Sequence, residues 1–228
     1  MIGIIAAENE EMKAIQNLMS DIKEEKVYNL TFFLGKVHSK DVVLVECGVG
    51  KVNSARVAQV LIDRYSPDCM INVGVAGGVD KELNVGDMVV SESLIQYDFD
   101  ATTLGKYEKG EVCDTGRYFK ADEKLIELAK KVLEEENINF KVGKIGTADL
   151  FVADIDLQEY IRAEFDCLCA EMEGAAIAQV CYLDNVPFVT IRGISDTPNG
   201  NNKMDFRTYL GVVSKQVGVI TNKLLEII

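Results

Sequence analysis

One ten-residue stretch decides the fold, and it reads Cys167-Leu168-Cys169-Ala170-Glu171-Met172-Glu173-Gly174-Ala175-Ala176. A short apolar run ends at Ala170, two acids flank a methionine, and a segment of small residues then begins a helix. If the segment is extended, Glu171 and Glu173 point to one side and Met172 to the other. Acids are rarely buried without partners, so two of them after an interior strand need a reason. Two interpretations stay open at this point: helix-start acids that complement the macrodipole, or part of a functional site.

The same order of apolar strand and helix recurs along the chain. Apolar runs predict strands at residues 2–6, 69–73, 85–91, 140–146, 167–170 and 186–194, and a hairpin of residues 31–37 and 42–47. Helical spacing predicts helices at residues 10–19, 53–65 with Asn53 as N-cap, 122–137 and 205–228, and another that ends at Asp184. Residues 93–119 are weakly patterned. This alternation predicts an α/β fold of three layers, in which a central, mostly parallel (mixed) sheet is flanked by helices.

Composition and charge exclude several classes of partner. The 228 residues are 48% hydrophobic and 27% charged, which is typical of globular proteins. The formal net charge of −13 argues against nucleic acid and anionic membrane surfaces, because binding to both needs clustered Lys and Arg. No apolar run is long enough to span a bilayer, and the N-terminal segment lacks the basic start of a signal peptide. We therefore expect a cytoplasmic protein.

The cysteines and the single histidine argue against a metal site. Of the six cysteines, only Cys167 and Cys169 form a close pair, without a second pair or a nearby histidine. Most of the others lie in apolar runs, where free cysteine behaves as a small buried hydrophobe. His38 lies in a polar turn, which argues against a His-based triad.

Chemistry in an open α/β sheet is expected beyond the carboxyl ends of its strands. Glu11, Glu173 and Asp196 each follow a different predicted strand. Pairs of acids with separated pKa values hydrolyse glycosidic bonds, because one acid protonates the leaving group while the other activates water. The alternative for Asp196 and its neighbour Ser195 is a helix cap.

Two glycine-rich segments do not match nucleotide-binding loops. Gly48-Val49-Gly50-Lys51 lacks the Gly five positions before Gly50 and the Ser or Thr after Lys51 that a phosphate loop needs. Gly74-Val75-Ala76-Gly77-Gly78 misses the dinucleotide spacing. Both segments therefore predict tight backbone turns, and neither implies NAD or a nucleoside triphosphate.

Several short motifs together carry a family resemblance that runs nearly from end to end. They are Gly3-Ile4-Ile5-Ala6-Ala7 before Glu10-Glu11, Gly48-Val49-Gly50-Lys51-Val52, Ala76-Gly77-Gly78, Val85-Gly86-Asp87, Glu171-Met172-Glu173 and Arg192-Gly193-Ile194-Ser195-Asp196. In order and spacing they resemble the bacterial 5′-methylthioadenosine/S-adenosylhomocysteine nucleosidases. The resemblance implies the nucleoside phosphorylase fold in a single domain over residues 1–228, a homodimer, and neither metal nor cofactor.

The resemblance also assigns roles by position. Asp196 is the expected general acid at adenine N7, oriented by Ser195, and Glu11 with Arg192 positions and activates water. Glu173 is expected to hold the ribose hydroxyls above Met172. The remaining assignments concern the base and the 5′ substituent: Phe151 stacks on adenine, the backbone of Val152 reads the base edge, Phe206 closes over the 5′ substituent, and Leu104 and Val112 of a partner chain complete the 5′ pocket.

Two positions depart from the family pattern, which has Met at the position of Glu8 and Ser or Thr at that of Val75. Glu8 could favour a 5′ substituent with an ammonium group, and Val75 removes a hydroxyl near the sugar. The expected activity is hydrolysis of 5′-methylthioadenosine and S-adenosylhomocysteine, and also of 5′-deoxyadenosine, with release of adenine. The alternatives are a purine nucleoside phosphorylase, a nucleosidase with another 5′ preference, and a nucleoside-binding protein without turnover.

Overall fold

A mixed sheet of ten strands carries six α-helices in the part of the chain that the structure describes. The computed structural model describes residues 1–197 and 202–228, with side chains for residues 1–197 and 208–228. The strands are β1 (Ile2–Ala6), β2 (Ser20–Val27), β3 (Leu30–Val37), β4 (Lys40–Glu46), β5 (Cys69–Gly78), β6 (Met88–Gln96), β7 (Phe119–Lys120), β8 (Phe140–Thr147), β9 (Cys167–Glu171) and β10 (Phe188–Asp196). The helices are α1 (Asn9–Gln16), α2 (Lys51–Tyr65), α3 (Glu123–Glu135), α4 (Ile155–Phe165), α5 (Gly174–Leu183) and α6 (Asn202–Ile227).

Two sets of parallel strands make up the centre of the sheet. In the first set β1 pairs with β4 and β5, and β5 pairs with β10. In the second set β8 pairs with β6 and β9. The sets run in opposite directions and meet where the end of β5 pairs antiparallel with the end of β9, at Gly77 opposite Ala170. The carboxyl ends of both sets therefore reach the same place. The predicted α/β class with a central mixed sheet flanked by helices is confirmed.

Two of the central strands, β1 and β10, are buried along their whole length. All five residues of β1 and all nine of β10 are buried. Parallel strands covered on both faces have continuous apolar sequences of this kind. Polar side chains inside them, such as Asn72 in β5 and Arg192 in β10, therefore need specific partners.

The helices form two groups. Helices α1, α3 and α6 pack together, while α2 packs on α5. The small residues at the start of α5 allow a close approach to the sheet, because a Cβ added to Gly174 would lie 2.6 Å from Cδ2 of Leu94. None of the described helices is long and apolar enough to cross a membrane.

Some predicted boundaries were wrong. The first helix ends at Gln16 rather than at residue 19, and α2 has Gly50 as its N-cap, while Nδ2 of Asn53 donates to the carbonyl of Val49. The strand predicted at residues 85–91 extends to Gln96 as β6, inside the weakly patterned stretch. Strand β2 and helix α4 were not predicted at all.

Candidate active site

A pocket opens where the carboxyl ends of the two strand sets meet. Its lining residues lie at the carboxyl ends of β5, β9 and β10 or in the segments that follow β1, β4, β8 and β9. They are Ala7, Glu8, Glu11, Val49, Val75, Ala76, Gly77, Leu150, Phe151, Val152, Ala170, Glu171, Met172, Glu173 and Asp196. The three acids predicted at separate strand ends thus face one pocket, and all three are buried. Arg192 and Ser195 lie directly behind this lining, where Arg192 is bonded to Glu171 and Ser195 to Asp196.

Glu11 is fixed by the backbone around it. Its Oε2 accepts the N–H groups of Ala7 and Glu8, each at 3.0 Å, and its Oε1 accepts the N–H of Val75 at 2.9 Å. A Cβ on Gly74 would lie 2.7 Å from Oε1, so the glycine is what lets β5 approach this carboxylate. Burial raises the pKa of Glu11, although the charge of Arg192 and these N–H donors act in the opposite direction. The result is a rigid carboxylate with an environment that favours holding a proton.

Glu173 begins α5 and reaches towards α2. Its Oε1 accepts the N–H of Gly50 at 2.8 Å. Burial, followed by the negative charge of Glu171, raises the pKa of Glu173 to about 8. The two acids of the opening stretch therefore lie side by side at the pocket but differ sharply in how many donors each one receives.

Glu171 accepts four donors. Oε2 accepts the N–H groups of Glu173 at 3.1 Å and Gly174 at 2.7 Å, and it forms an ion pair of 2.6 Å with Nη2 of Arg192. The hydroxyl of Thr147 donates to Oε1. The helix-start interpretation is thus correct for Glu171, while Glu173 turns its carboxylate to the pocket and to Gly50.

Arg192 and Glu11 do not form an ion pair, although the predicted role of Arg192 as a helper of Glu11 would suggest one. Its Nη2 donates to Oδ1 of Asn72 and to Glu171, both at 2.6 Å, and its Nε has no hydrogen-bond partner among the described residues. Although burial acts to lower the pKa of this guanidinium, the charges of Glu171, Glu173 and Glu11 outweigh it and raise the pKa. Arg192 therefore influences Glu11 through its charge and not through a direct bond.

Asp196 ends β10 beside the end of β5. The hydroxyl of Ser195 donates to its Oδ1 at 2.7 Å, and a Cβ on Gly77 would lie 3.1 Å from its Oδ2. Both residues belong to the buried strand. This hydrogen bond is compatible with the orienting role that the sequence resemblance implies for Ser195.

The loop after β8 supplies the apolar wall of the pocket. Phe151 is 47% exposed and Val152 is buried, and both line the pocket together with Met172 and Val75. Glu8, the N-cap of α1, lines it as well. Flat aromatic and aliphatic surface beside buried acids can hold a purine and its sugar.

Two predicted residues, Leu104 and Val112, do not line this pocket within their own chain. Leu104 is 67% exposed and Val112 packs partly against the main core, and neither lines the pocket of its own chain. The prediction assigns them to a partner chain. The side chain of Phe206 lies outside the described residues.

Sequence reasoning missed two polar residues behind the pocket. Asn72 holds Arg192 and also donates to the carbonyl of Ile5 at 3.0 Å, and Thr147 bridges Glu171 to the N–H of Ala175. Asn72 could have been identified from the sequence, because it is a single Asn inside an apolar strand. Over the described chain, no three His, Cys, Asp or Glu side chains are arranged to hold a metal ion.

Comparison with known proteins places this geometry in a class. The chain matches the Phosphorylase superfamily over residues 1–227. It is 36% identical to the 5′-methylthioadenosine/S-adenosylhomocysteine nucleosidase of Staphylococcus haemolyticus, over all of both chains. The structure of the Streptococcus pyogenes S-adenosylhomocysteine nucleosidase in complex with 5-methylthiotubericidin is 36% identical with a TM-score of 0.95, over 99% of this chain and 95% of that one. Futalosine hydrolase of Helicobacter pylori is 29% identical with a TM-score of 0.95, over 100% and 97%.

The superfamily match defines the class of protein as one built on the nucleoside phosphorylase fold. Identity above 30% over the full length of the relatives makes the assignment narrower. The chain belongs to the 5′-methylthioadenosine/S-adenosylhomocysteine nucleosidase family.

Proposed function

We propose that this chain hydrolyses the N-glycosidic bond of 5′-methylthioadenosine and S-adenosylhomocysteine and releases adenine. The observation that carries the proposal is the convergence of Glu11, Glu173 and Asp196 on one pocket in a chain that belongs to this nucleosidase family. Breaking an N-glycosidic bond creates positive charge on the sugar and negative charge on the departing base. Carboxylates stabilise the first, and a positioned acid neutralises the second.

Each acid has one part in this reaction. Asp196, oriented by Ser195, protonates adenine N7 as the bond to the sugar breaks. Glu11 receives the proton of the attacking water, and its three backbone donors hold it in place for that step. Glu173 binds the ribose hydroxyls, and its ionised form stabilises the oxocarbenium-like sugar. Arg192 supports Glu11 from a distance through its charge.

The apolar residues hold the two ends of the nucleoside. Phe151 stacks on the adenine ring, the backbone of Val152 reads its edge, and Met172 packs beneath the sugar. Val75 lacks the hydroxyl that the family has at this position, but its N–H still fixes Glu11. Phe206 is proposed to cover the 5′ substituent.

Water, and not phosphate, is the proposed nucleophile. A phosphate needs Arg, Lys or hydroxyl donors around it. The described lining of the pocket contains five acids and no Lys or Arg side chain. A phosphate anion would therefore enter a site of its own charge sign.

Release of adenine, measured by chromatography in phosphate-free buffer and again with added phosphate, tests the reaction. We expect equal rates in both buffers for 5′-methylthioadenosine and for S-adenosylhomocysteine. Release that depends strictly on phosphate, with sugar 1-phosphate as the second product, would replace hydrolysis by phosphorolysis. Binding of the nucleoside without release of adenine would leave only a binding protein.

The proposed working form is a homodimer, in which Leu104 and Val112 of one protomer complete the 5′ pocket of the other. Leu104 is 67% exposed within its own chain, which suits a residue that another chain covers. We also propose the cytoplasm as the compartment. All six cysteines are free, as is usual for proteins of reducing compartments.

A further inference from the structure

The start of α2 holds a carboxylate from each of two other segments. The N–H of Gly50 donates to Oε1 of Glu173, and the N–H of Lys51 donates to Oδ1 of Asp149, both at 2.8 Å. The first N–H groups of a helix have no partners within the helix, and the helix dipole favours negative charge near them. Two acids from outside the helix therefore satisfy its first donors. One of them is the proposed ribose-binding acid, and the other immediately precedes the loop with Phe151.

A third acid fastens the same loop to the same helix. Nζ of Lys51 forms an ion pair of 2.6 Å with Oδ1 of Asp98, and the N–H of Asp149 donates to Oδ2 of Asp98 at 3.2 Å. The side chains of Lys51 and Asp98 are 18% and 22% exposed, so solvent screens this pair less than the other ion pairs on the surface. Gly50, Lys51, Asp98 and Asp149 together are called the α2 clamp below.

The α2 clamp differs from ordinary capping in this chain. Asp122 and Asp154 each cap the helix that they precede, by accepting the N–H of Leu125 and Leu157, both at 3.0 Å. Asp149 instead accepts from a helix that lies 98 residues earlier in the sequence. Gly50 has a φ of 101°, and a Cβ there would lie 3.1 Å from Oδ1 of Asp149. The local backbone is therefore adapted to this one distant carboxylate.

We propose that Asp149 is a positioning residue of the active site, which acts through the start of α2 to hold the base-stacking loop and Glu173 in one fixed arrangement. This inference rests on the proposed function, because it concerns how the same nucleoside is held. Loss of the Asp149 carboxylate frees the N–H of Lys51 and loosens both the loop before Phe151 and the turn that binds Glu173. Base binding and sugar binding then weaken together, although Asp149 touches neither part of the substrate.

Three variants test the proposal. Asp149→Ala removes the acceptor, Asp149→Asn keeps an oxygen acceptor at the same place, and Asp122→Ala removes a matched cap from α3, which packs away from the pocket. We expect Asp149→Ala to raise KM for 5′-methylthioadenosine and to lower kcat, so that kcat/KM falls about tenfold or more. Asp149→Asn should recover most of this loss. Asp122→Ala should lower Tm by a similar amount to Asp149→Ala and leave kcat and KM unchanged.

A double-mutant cycle separates action through Glu173 from an independent effect. If Asp149 acts through the start of α2, the losses caused by Asp149→Ala and Glu173→Gln in kcat/KM are not additive. Full additivity, or an Asp149→Ala variant whose kcat/KM equals that of Asp122→Ala, would overturn the proposal. Lys51→Met, which breaks only the bond to Asp98, gives the same test if Asp149→Ala does not fold, and unchanged kinetics in Lys51→Met would count against it. A wild-type protein that releases no adenine would refute the proposed function instead.

Discussion

Two glutamates that lie two residues apart in the sequence have different roles because their surroundings differ. Glu171 receives four donors, including a buried guanidinium, whereas Glu173 receives one N–H and faces the pocket. The donors tie Glu171 to the backbone and to Arg192, whereas burial and the negative charge of Glu171 raise the pKa of Glu173. The same type of side chain therefore has a different role according to the groups that surround it.

Replacing each acid by glutamine should separate folding from turnover. Glu171→Gln leaves Arg192 without its ion-pair partner in the interior, so we expect the free energy of unfolding to fall by about 3–5 kcal/mol. Glu173→Gln keeps an acceptor for Gly50 but loses the group that can carry negative charge next to the sugar, so kcat should fall by roughly 10²–10³. Urea unfolding and initial rates on the folded fraction measure the two effects.

The reverse order would overturn the assignment. Glu171→Gln with greatly reduced turnover and unchanged stability, together with an active Glu173→Gln, would make Glu171 the sugar-binding acid. Asp41→Asn is a suitable control, because its ion pair with Lys36 is exposed and should contribute little to folding.

The raised pKa of Glu173 also makes a prediction about stability and pH. The folded protein retains the proton up to a pH of about 8, whereas the unfolded chain releases it near the ordinary value of 4.5. Between these values the folded state binds more protons, so this group makes the protein less stable as the pH rises. Relative to wild type, Glu173→Gln should therefore gain Tm progressively from pH 4.5 to pH 8, by roughly 2–4 °C for each ~1 kcal/mol. A constant difference in Tm across this range would contradict the shift.

Glu8 is the residue that should bias the choice of 5′ substituent. It lines the pocket, and among the described residues no Lys or Arg forms an ion pair with it. Burial, followed by the charges of Glu10 and Glu46, raises its pKa, and no positive group opposes these effects. The ammonium group of a homocysteine substituent would supply the missing positive charge, which 5′-methylthioadenosine cannot do.

We expect Glu8→Gln to lower kcat/KM for S-adenosylhomocysteine relative to 5′-methylthioadenosine by about two- to fivefold, the size of a partly exposed ion pair. Added salt should shrink this ratio in wild type and have little effect on it in the variant. Glu10→Gln is the matched control, because it removes the neighbouring charge outside the pocket lining. An unchanged ratio in Glu8→Gln would mean that Glu8 faces solvent when substrate is bound.

At the scale of elements, Gly74 determines how closely β5 can approach the carboxylate of Glu11. Gly74→Ala would place Cβ 2.7 Å from Oε1 of Glu11, a carboxylate already held by three N–H donors. We expect kcat to fall by about 10²-fold, because a shift of roughly 1 Å in a catalytic group has that effect. Gly211→Ala in α6, where nothing lies within 4 Å, should instead leave kcat unchanged and raise stability by about 1 kcal/mol. A fully active Gly74→Ala would show that Glu11 can move.

The sequence predicted the elements with clear periodicity and missed those without it. Strand β1 was predicted with its observed bounds, and α3 differs from its prediction by one or two residues at each end. Strand β2 was missed because seven of its eight residues are exposed, so a charged edge strand shows no buried face. Helix α4 was missed because its apolar face is interrupted by a buried Gln158, while Ile155 is exposed.

The sequence indicated where the predicted site residues lie in the sheet but not which contacts they make. Strand ends can be read from the chain, so Glu11, Glu173 and Asp196 could be placed at one edge of the sheet. Which acid Arg192 pairs with depends on the registers of β9 and β10 against β5, since β9 and β10 do not pair with each other in the sheet. The same holds for the bond from Gly50 to Glu173. Sequence patterns carry no information about such contacts between distant elements.

At the scale of the whole molecule, the proposed homodimer predicts the mass of the protein in solution and the effect of placing a charge in the subunit interface. Val52 in α2 is 79% exposed and Leu183 in α5 is 58% exposed, and both line a shallow groove beside the active site. We expect wild type to sediment at 2 × 25.2 = 50.4 kDa. Val52→Glu should sediment as a monomer and lose turnover, because a buried charge opposes association and the partner's 5′ contacts are then absent.

The control for this experiment is Val212→Glu. Val212 is 63% exposed on α6, which packs with α1 and α3 on the other helix group. The Val212→Glu variant should remain dimeric and active. A monomeric wild type with full activity would refute both the homodimer and the contribution of Leu104 and Val112.

The contrast between the floor and the rim of the pocket bears on how such enzymes change in evolution. Glu11 and Glu173 on the floor are 5% exposed and Asp196 is 2% exposed, whereas Val49, Leu150 and Phe151 on the rim are 45–50% exposed. Substitutions at exposed positions usually change stability by less than about 0.5 kcal/mol. Rim residues can therefore change during evolution, and the preferred nucleoside with them, while the floor residues that are proposed to break the glycosidic bond are retained. The close structural match to futalosine hydrolase is the result expected if substitutions accumulate at the rim of the pocket and not at its floor.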